Sequence, residues 1–217
     1  KSSIITLIEM SDFIFRINIK MELLKELERI LVYLKYLKDN ESIDLIKYDE
    51  FYNAVKTHIE ELNNSDSNPS KSISDNDFLM QIKSKCHIPA GNNFFDMPAY
   101  LNFLSSNKTM IIENINNWYS PFNIIFLSSI LILDIKRTIS KFKNISITDS
   151  FFETKLDKST KIDLIRVKLE KNINIYPDIS VSTQNINILF KTSYGNNRLS
   201  KVIDGSLDFE LSMSASK

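Results

Sequence analysis

Glycine occupies only three of 217 positions, Gly91, Gly195 and Gly205. Loops that cradle a phosphate or present an exposed nucleophile need backbone that reaches positive φ or comes close to a ligand, which is glycine's task. Three scattered glycines exclude the dinucleotide-binding, P-loop and nucleophile-elbow patterns. Cysteine is scarcer still. Cys86 stands alone, so no internal disulfide can form and a reducing compartment is implied. The expected setting is the cytoplasm or nucleus of a eukaryotic cell. With one cysteine and two histidines, His58 and His87, and neither Cys-x-x-Cys nor His-x-x-x-His, the chain falls short of a four-ligand zinc site. No metal or cofactor is expected. Charge of one sign is missing too: 27 basic residues balance 27 acidic ones. A nucleic-acid binder draws most of its affinity from a basic excess, and no strong signal of that kind is present.

The amino terminus shows no apolar signal core ahead of a small-residue cleavage site. A chain opening on Lys1 rather than Met is expected to have flanking sequence. The Asn-x-Ser/Thr triplets at Asn107 and Asn144 read as chance matches in an asparagine-rich chain.

Against these shortages stands a hydrophobic content of 43% and an aromatic content of 11%, ample for a buried core in one large domain or two small ones. From Ile17 onward, Ile17, Leu24, Leu27, Leu31 and Leu34 recur in steps of three, four or seven. Met10 and Phe13 extend the register backwards, and Glu22, Lys25, Glu26 and Arg29 fill the positions between. This heptad-like stripe predicts one helix from about Asp12 to Leu37. A second helix, N-capped by Ser42, carries Leu45, Tyr48, Phe51 or Tyr52, Val55, Ile59 and Leu62 on one face. The short connection predicts an antiparallel hairpin over residues 1–62. The Ser/Asn/Asp-rich run over 63–77 reads as a flexible linker.

Residues 78–143 read as further helices: Asp77 to Lys85, Asp96 to Leu104, Thr109 to Trp118, then the clearest start signal in the chain. There Ser120 precedes Pro121 and an apolar stretch to Ile135. Sixteen residues make a helix of roughly 24 Å, short of the ~30 Å hydrocarbon core. The stretch therefore predicts a buried central helix and no transmembrane span. After Asn144 the period drops to two. Lys161 to Leu169 alternates with one slip, which predicts a strand with a bulge. Ile179/Val181, Ile186/Ile188/Phe190 and Leu207/Phe209/Leu211/Met213 predict three more strands. The expected fold class is α+β: an N-terminal helical hairpin or bundle over about 1–143, then an antiparallel β-meander over 144–217.

Candidate chemistry is thin. Cys86 and His87 are sequence neighbours, whereas a thiol nucleophile takes its base from elsewhere in the fold. Asp49-Glu50 and Glu60-Glu61 lie on predicted helix surfaces, where adjacent residues do not face one another. The modest basic excess from Lys136 to Lys171 reads as a solvated strand face.

The function that fits is a non-enzymatic structural or adaptor subunit of a multi-protein complex. Its partner is another protein chain, in a hetero-complex rather than a homo-oligomer, met through Ile17, Leu24, Leu27, Leu31 and Leu34 in a coiled-coil or helix-in-groove seam; the same spacing fits a helix packed in the chain's own core, and the sequence leaves both readings open. The alternatives are an apolar-ligand or lipid-binding module, whose helix–sheet cleft is lined by Phe94, Phe95 and Trp118, and an enzyme of unfamiliar type.

Overall fold

The computed structural model describes residues 2–39, 44–66, 68–86, 97–157, 161–171, 174–192 and 206–216. The chain divides into two compact units, Lys1–Leu133 and Asp134–Lys217. Helices fill the first and antiparallel strands dominate the second, so the α+β class holds.

The expected first helix is two helices, α1 (Ser2–Arg16) and α2 (Ile19–Asp39). The break has a geometric cause. The buried face of α1 is Ile4, Leu7, Ile8, Ser11 and Ile14, and that of α2 is Leu23, Leu24, Leu27, Ile30, Leu34 and Leu37. On one straight helix at about 100° per residue, Leu27 would lie about 140° round from Ile14. The turn at Ile17–Asn18 resets the phase, with the Ile19 N–H donating to the Ile17 carbonyl (2.6 Å) and the Glu22 N–H to the Asn18 carbonyl (3.2 Å). Asparagine suits such a position because it tolerates turn geometry.

Helix α3 (Leu45–Asn64) starts at Asp44, whose side chain accepts from the Ile46 N–H at 2.8 Å. Asp44, rather than Ser42, is its N-cap; Ser42 lies outside the described residues. Tyr48, Val55 and Leu62, spaced by seven, form its buried face. The two helices run antiparallel. Lys38, late in α2, sits 4.5 Å over the Tyr48 ring, and Lys20, early in α2, donates to the Ser65 carbonyl at 2.8 Å.

The run read as a flexible linker carries structure of its own. Pro69 and Ser70 are buried, Ser70 Oγ donates to the Ser11 carbonyl at 2.9 Å, and α4 (Lys71–Ser74) buries Ile73. Polar composition concealed this because short hydroxyl side chains satisfy backbone groups that a compact turn would otherwise strand. Helix α5 (Asp77–Cys86) buries Leu79 and Ile82 and pairs Lys83 with Asp12 of α1. Helices α6 (Pro98–Ser105) and α7 (Lys108–Tyr119, capped by Asn107) follow. A 3-10 turn at Ser120–Phe122 then leads into α8 (Asn123–Ile139). Phe78, Phe103 and Trp118 form a ring triad with centroids 5.2 to 5.8 Å apart.

In the second unit the strands form two sheets instead of one meander. Strands β1 (Lys143–Ile147), β6 (Leu207–Ser216) and β3 (Lys161–Lys168) lie in the order β1-β6-β3. Strands β2 (Phe151–Lys155), β5 (Asn185–Thr192) and β4 (Ile175–Val181) lie in the order β2-β5-β4. Among the described residues every strand pairing is antiparallel. The core explains the division. Central strands β5 and β6 supply Ile186, Ile188, Phe190, Leu207, Phe209 and Leu211, all buried, and Phe190 meets Phe209 at 4.9 Å. Two three-stranded sheets cover each other's apolar faces, which a single six-stranded layer could not do. The bulge expected in β3 is present between Ile162 and Leu164.

Leu27→Ala, at a fully buried site, is expected to cost about 2–5 kcal/mol. Val32→Ala, on the 69% exposed face of the same helix, should cost no more than about 0.5 kcal/mol. Urea denaturation of both variants checks which face of α2 the chain covers.

Candidate protein-docking surface

Among the described residues, the groups that tempt a catalytic reading are not brought together. Cys86 ends α5, half-buried, and His87 lies outside the described residues, as do Phe94 and Phe95. His58 on α3 hydrogen-bonds through Nδ1 to Ser128 Oγ of α8 at 3.0 Å. Ser128 is fully buried, so substrate cannot reach its hydroxyl, and the pair acts as a helix-to-helix tie. Asp49, Glu50, Glu60 and Glu61 are all exposed. Among the described residues no group of three metal-ligating side chains occurs, and no helix is long and apolar enough to cross a membrane.

The basic stretch after Lys136 is committed internally. Lys136 pairs with Asp163 at 2.8 Å, and Lys168 with Glu210 at 2.7 Å. Arg166 places Nη2 within 2.6 to 2.9 Å of the Arg137 and Ser140 carbonyls and Ser212 Oγ, shared among them, and stacks 4.5 Å over Phe142. Its charge caps the carbonyls at the end of α8, where the helix dipole favours a cation. Nucleic-acid phosphates would have to compete with these partners.

Strand addition at a sheet edge is blunted as well. Edge strand β4 contains Pro177, β3 carries its bulge, and β1 and β2 are five residues each, with Lys143 and Lys155 at their ends. These devices discourage pairing with a foreign strand. A macromolecular partner must therefore meet side chains.

Exposed apolar side chains occur on strands, as at Phe151, Tyr176, Ile179 and Val181, but those on the helices form the longer ridge. Helix α8 is not enclosed on all sides as the sequence suggests. Phe122, Ile125, Ser128, Ile132 and Ile135 are buried, while Leu127 and Ile130 stand 53% and 61% exposed. Leu133 continues the exposed side at 38%. Isolated exposed apolar residues are ordinary, but three large aliphatic side chains at i, i+3 and i+6 of one helix form a ridge. Fully burying such a side chain contributes about 1.5–3 kcal/mol, so the ridge holds association energy that the chain itself leaves unused. A second patch surrounds the α1–α2 turn, where Phe13, Phe15, Ile17 and Met21 are exposed.

The five stripe residues divide between core and surface. Leu24, Leu27 and Leu34 are buried, Leu31 is half-buried, and Ile17 is exposed. The three buried leucines are already occupied in packing α2 within its own unit. Helical spacing marked them as a seam but could not tell an internal seam from an external one. The α8 ridge, in contrast, was hidden inside a uniformly apolar run. Ile130→Ser is expected to change the urea-unfolding free energy by no more than about 0.5 kcal/mol. Ile132→Ala, on the covered side, should cost about 2–5 kcal/mol.

A family model described as ZapD, a cell division protein, matches residues 1–189. A cell division protein ZapD from Janthinobacterium sp. (strain Marseille) is 26% identical over 209 residues, covering 96% of this chain and 82% of that protein. The Coxiella burnetii (strain RSA 331 / Henzerling II) protein of the same name is 26% identical over 210 residues, covering 96% and 81%. The Nitrosomonas europaea protein is 23% identical over 208 residues, covering 96% and 79%. These relatives are bacterial cell-division proteins and not enzymes, which overturns the eukaryotic setting and with it the nucleus. A single cysteine signals a reducing compartment in any kingdom, so it could not have told them apart. With the match running through residues 1–189 of 217, this chain belongs to the ZapD family of cell division proteins.

Proposed function

We propose that this chain is a non-enzymatic adaptor of the bacterial division machinery, acting in the cytoplasm and docking through its helical unit onto the cell-division protein FtsZ. The observation that carries this reading is the α8 ridge of Leu127, Ile130 and Leu133, exposed on a helix whose other side is packed. Membership of a cell-division family supports a protein partner over a small molecule. Trp118, offered from the sequence as a ligand-cleft residue, instead fills space against Phe78 and Phe103, which disfavours the apolar-ligand alternative.

In this reading α1 and α2 contribute a second contact. Ile17, with Phe13, Phe15 and Met21, presents an apolar corner, and half-buried Leu31 lies further along α2. Leu24, Leu27 and Leu34 act indirectly, by holding α2 in place. The partner is a different polypeptide, in a hetero-complex. Helix-on-surface docking of this kind places a few aliphatic anchors at the centre of the contact and draws most of the affinity from them.

Analytical ultracentrifugation of the chain with purified FtsZ tests the reading. The wild type is expected to co-sediment with FtsZ at micromolar concentrations. A Leu127→Asp/Ile130→Asp double variant should bind about a hundredfold more weakly, the loss of two anchors at about 1.4 kcal/mol each, while keeping the wild-type circular-dichroism melt. Absence of a complex with the wild type would refute the partner. Unchanged affinity of the double variant would remove the ridge from the contact.

A further inference from the structure

We propose that the cleft between the end of α3 and the start of α8 is a docking site for a short partner segment in which a leucine-like side chain stands beside a lysine or arginine. This rests on the protein-docking reading above and specifies the chemistry of the segment that docks.

The cleft has a volume of about 360 Å³, at the small end of the range of ligand-binding pockets and room for one or two side chains. One wall is acidic, with Glu61 and Asp66 flanking Ser65; the other is apolar, with Pro121, Ile124 and Leu127. Both carboxylates are exposed, and neither makes an ion pair among the described residues. Helix α3 ends here with no basic residue in its last turn, so the negative end of its dipole adds to the two carboxylates. Lys20 donates to the Ser65 carbonyl at 2.8 Å, a backbone oxygen rather than either carboxylate. A cation from a partner is therefore favoured at this wall.

The apolar wall sets the other half of the motif. Leu127 is 53% exposed and belongs to the same ridge as Ile130, one turn further on. The cleft thus opens onto the ridge, and an extended or helical segment laid along α8 would drop a basic side chain between Glu61 and Asp66 as its apolar neighbour covers Leu127. An acidic segment would meet like charge at the same wall. Charge would govern which segments are accepted, and apolar area would govern how long they stay.

A ¹⁵N-labelled sample of the full chain, titrated with two capped hexapeptides, decides the matter. One peptide has two leucines followed by two lysines between terminal glycines; the other replaces the lysines with glutamates. The lysine peptide is expected to shift amides in 61–66 and 120–130, with binding that weakens as salt rises, while the glutamate peptide leaves them unmoved. Glu61→Gln/Asp66→Asn should raise the Kd of the lysine peptide about tenfold, and Leu127→Ala should raise it without changing the salt dependence. Equal binding of both peptides, or shifts confined to other residues, overturns the proposal. If the chain binds FtsZ but the lysine peptide moves nothing in the cleft, the docking reading stands and this inference falls. If the peptide binds in the cleft while FtsZ does not bind, the choice of partner falls and this inference stands.

Discussion

Leu127, Ile130 and Leu133 stand in water on a helix whose opposite side reaches zero exposure at Phe122, Ser128 and Ile135. Packing fixes that imbalance. The buried side of α8 is tied to α3 by the His58–Ser128 hydrogen bond, and half-buried Phe126, one turn before Ile130, stacks on Tyr119 of α7. The helix cannot roll to hide its other side without breaking these contacts. Because water disfavours exposed aliphatic surface in proportion to its area, a surface held this way favours any partner that covers it. The acidic end of α3 beside it adds a preference about that partner's charge.

The second unit is organised around one apolar cluster. Its core comes from the two central strands, with edge strands supplying half-buried flanks. Three of its cations, Arg166, Lys136 and Lys168, are engaged in capping and pairing. Lys191, held by Asp178 on the neighbouring strand, has its ammonium pKa raised by that hydrogen bond.

Some of this was legible in residue order. The alternation at Ile186, Ile188 and Phe190 marked β5, and the slip near Asp163 marked the β3 bulge, because a pleated strand has a strict period of two. Strands β1 and β2 escaped notice, being five residues long with few apolar positions to reveal a period. The α1–α2 break was readable in principle, since the buried faces at Ile14 and Leu27 are out of phase, but the alternating Phe15, Ile17 and Ile19 blurred it.

Residue order by itself determined the class of the protein: helices first, strands last, no glycine-built ligand loop and no ligand set for zinc. These properties are local, set by side-chain period and by which residues can adopt special backbone angles. Tertiary structure alone decided which apolar residues are spent and which remain. Leu27 and Ile130 are equally hydrophobic and equally well placed on helices, yet one has lost all its exposure and the other keeps most of it. That difference depends on what lies across from each residue in space. Spacing along a chain does not record it, because an internal neighbour and a partner protein are covered by the same kind of side chain.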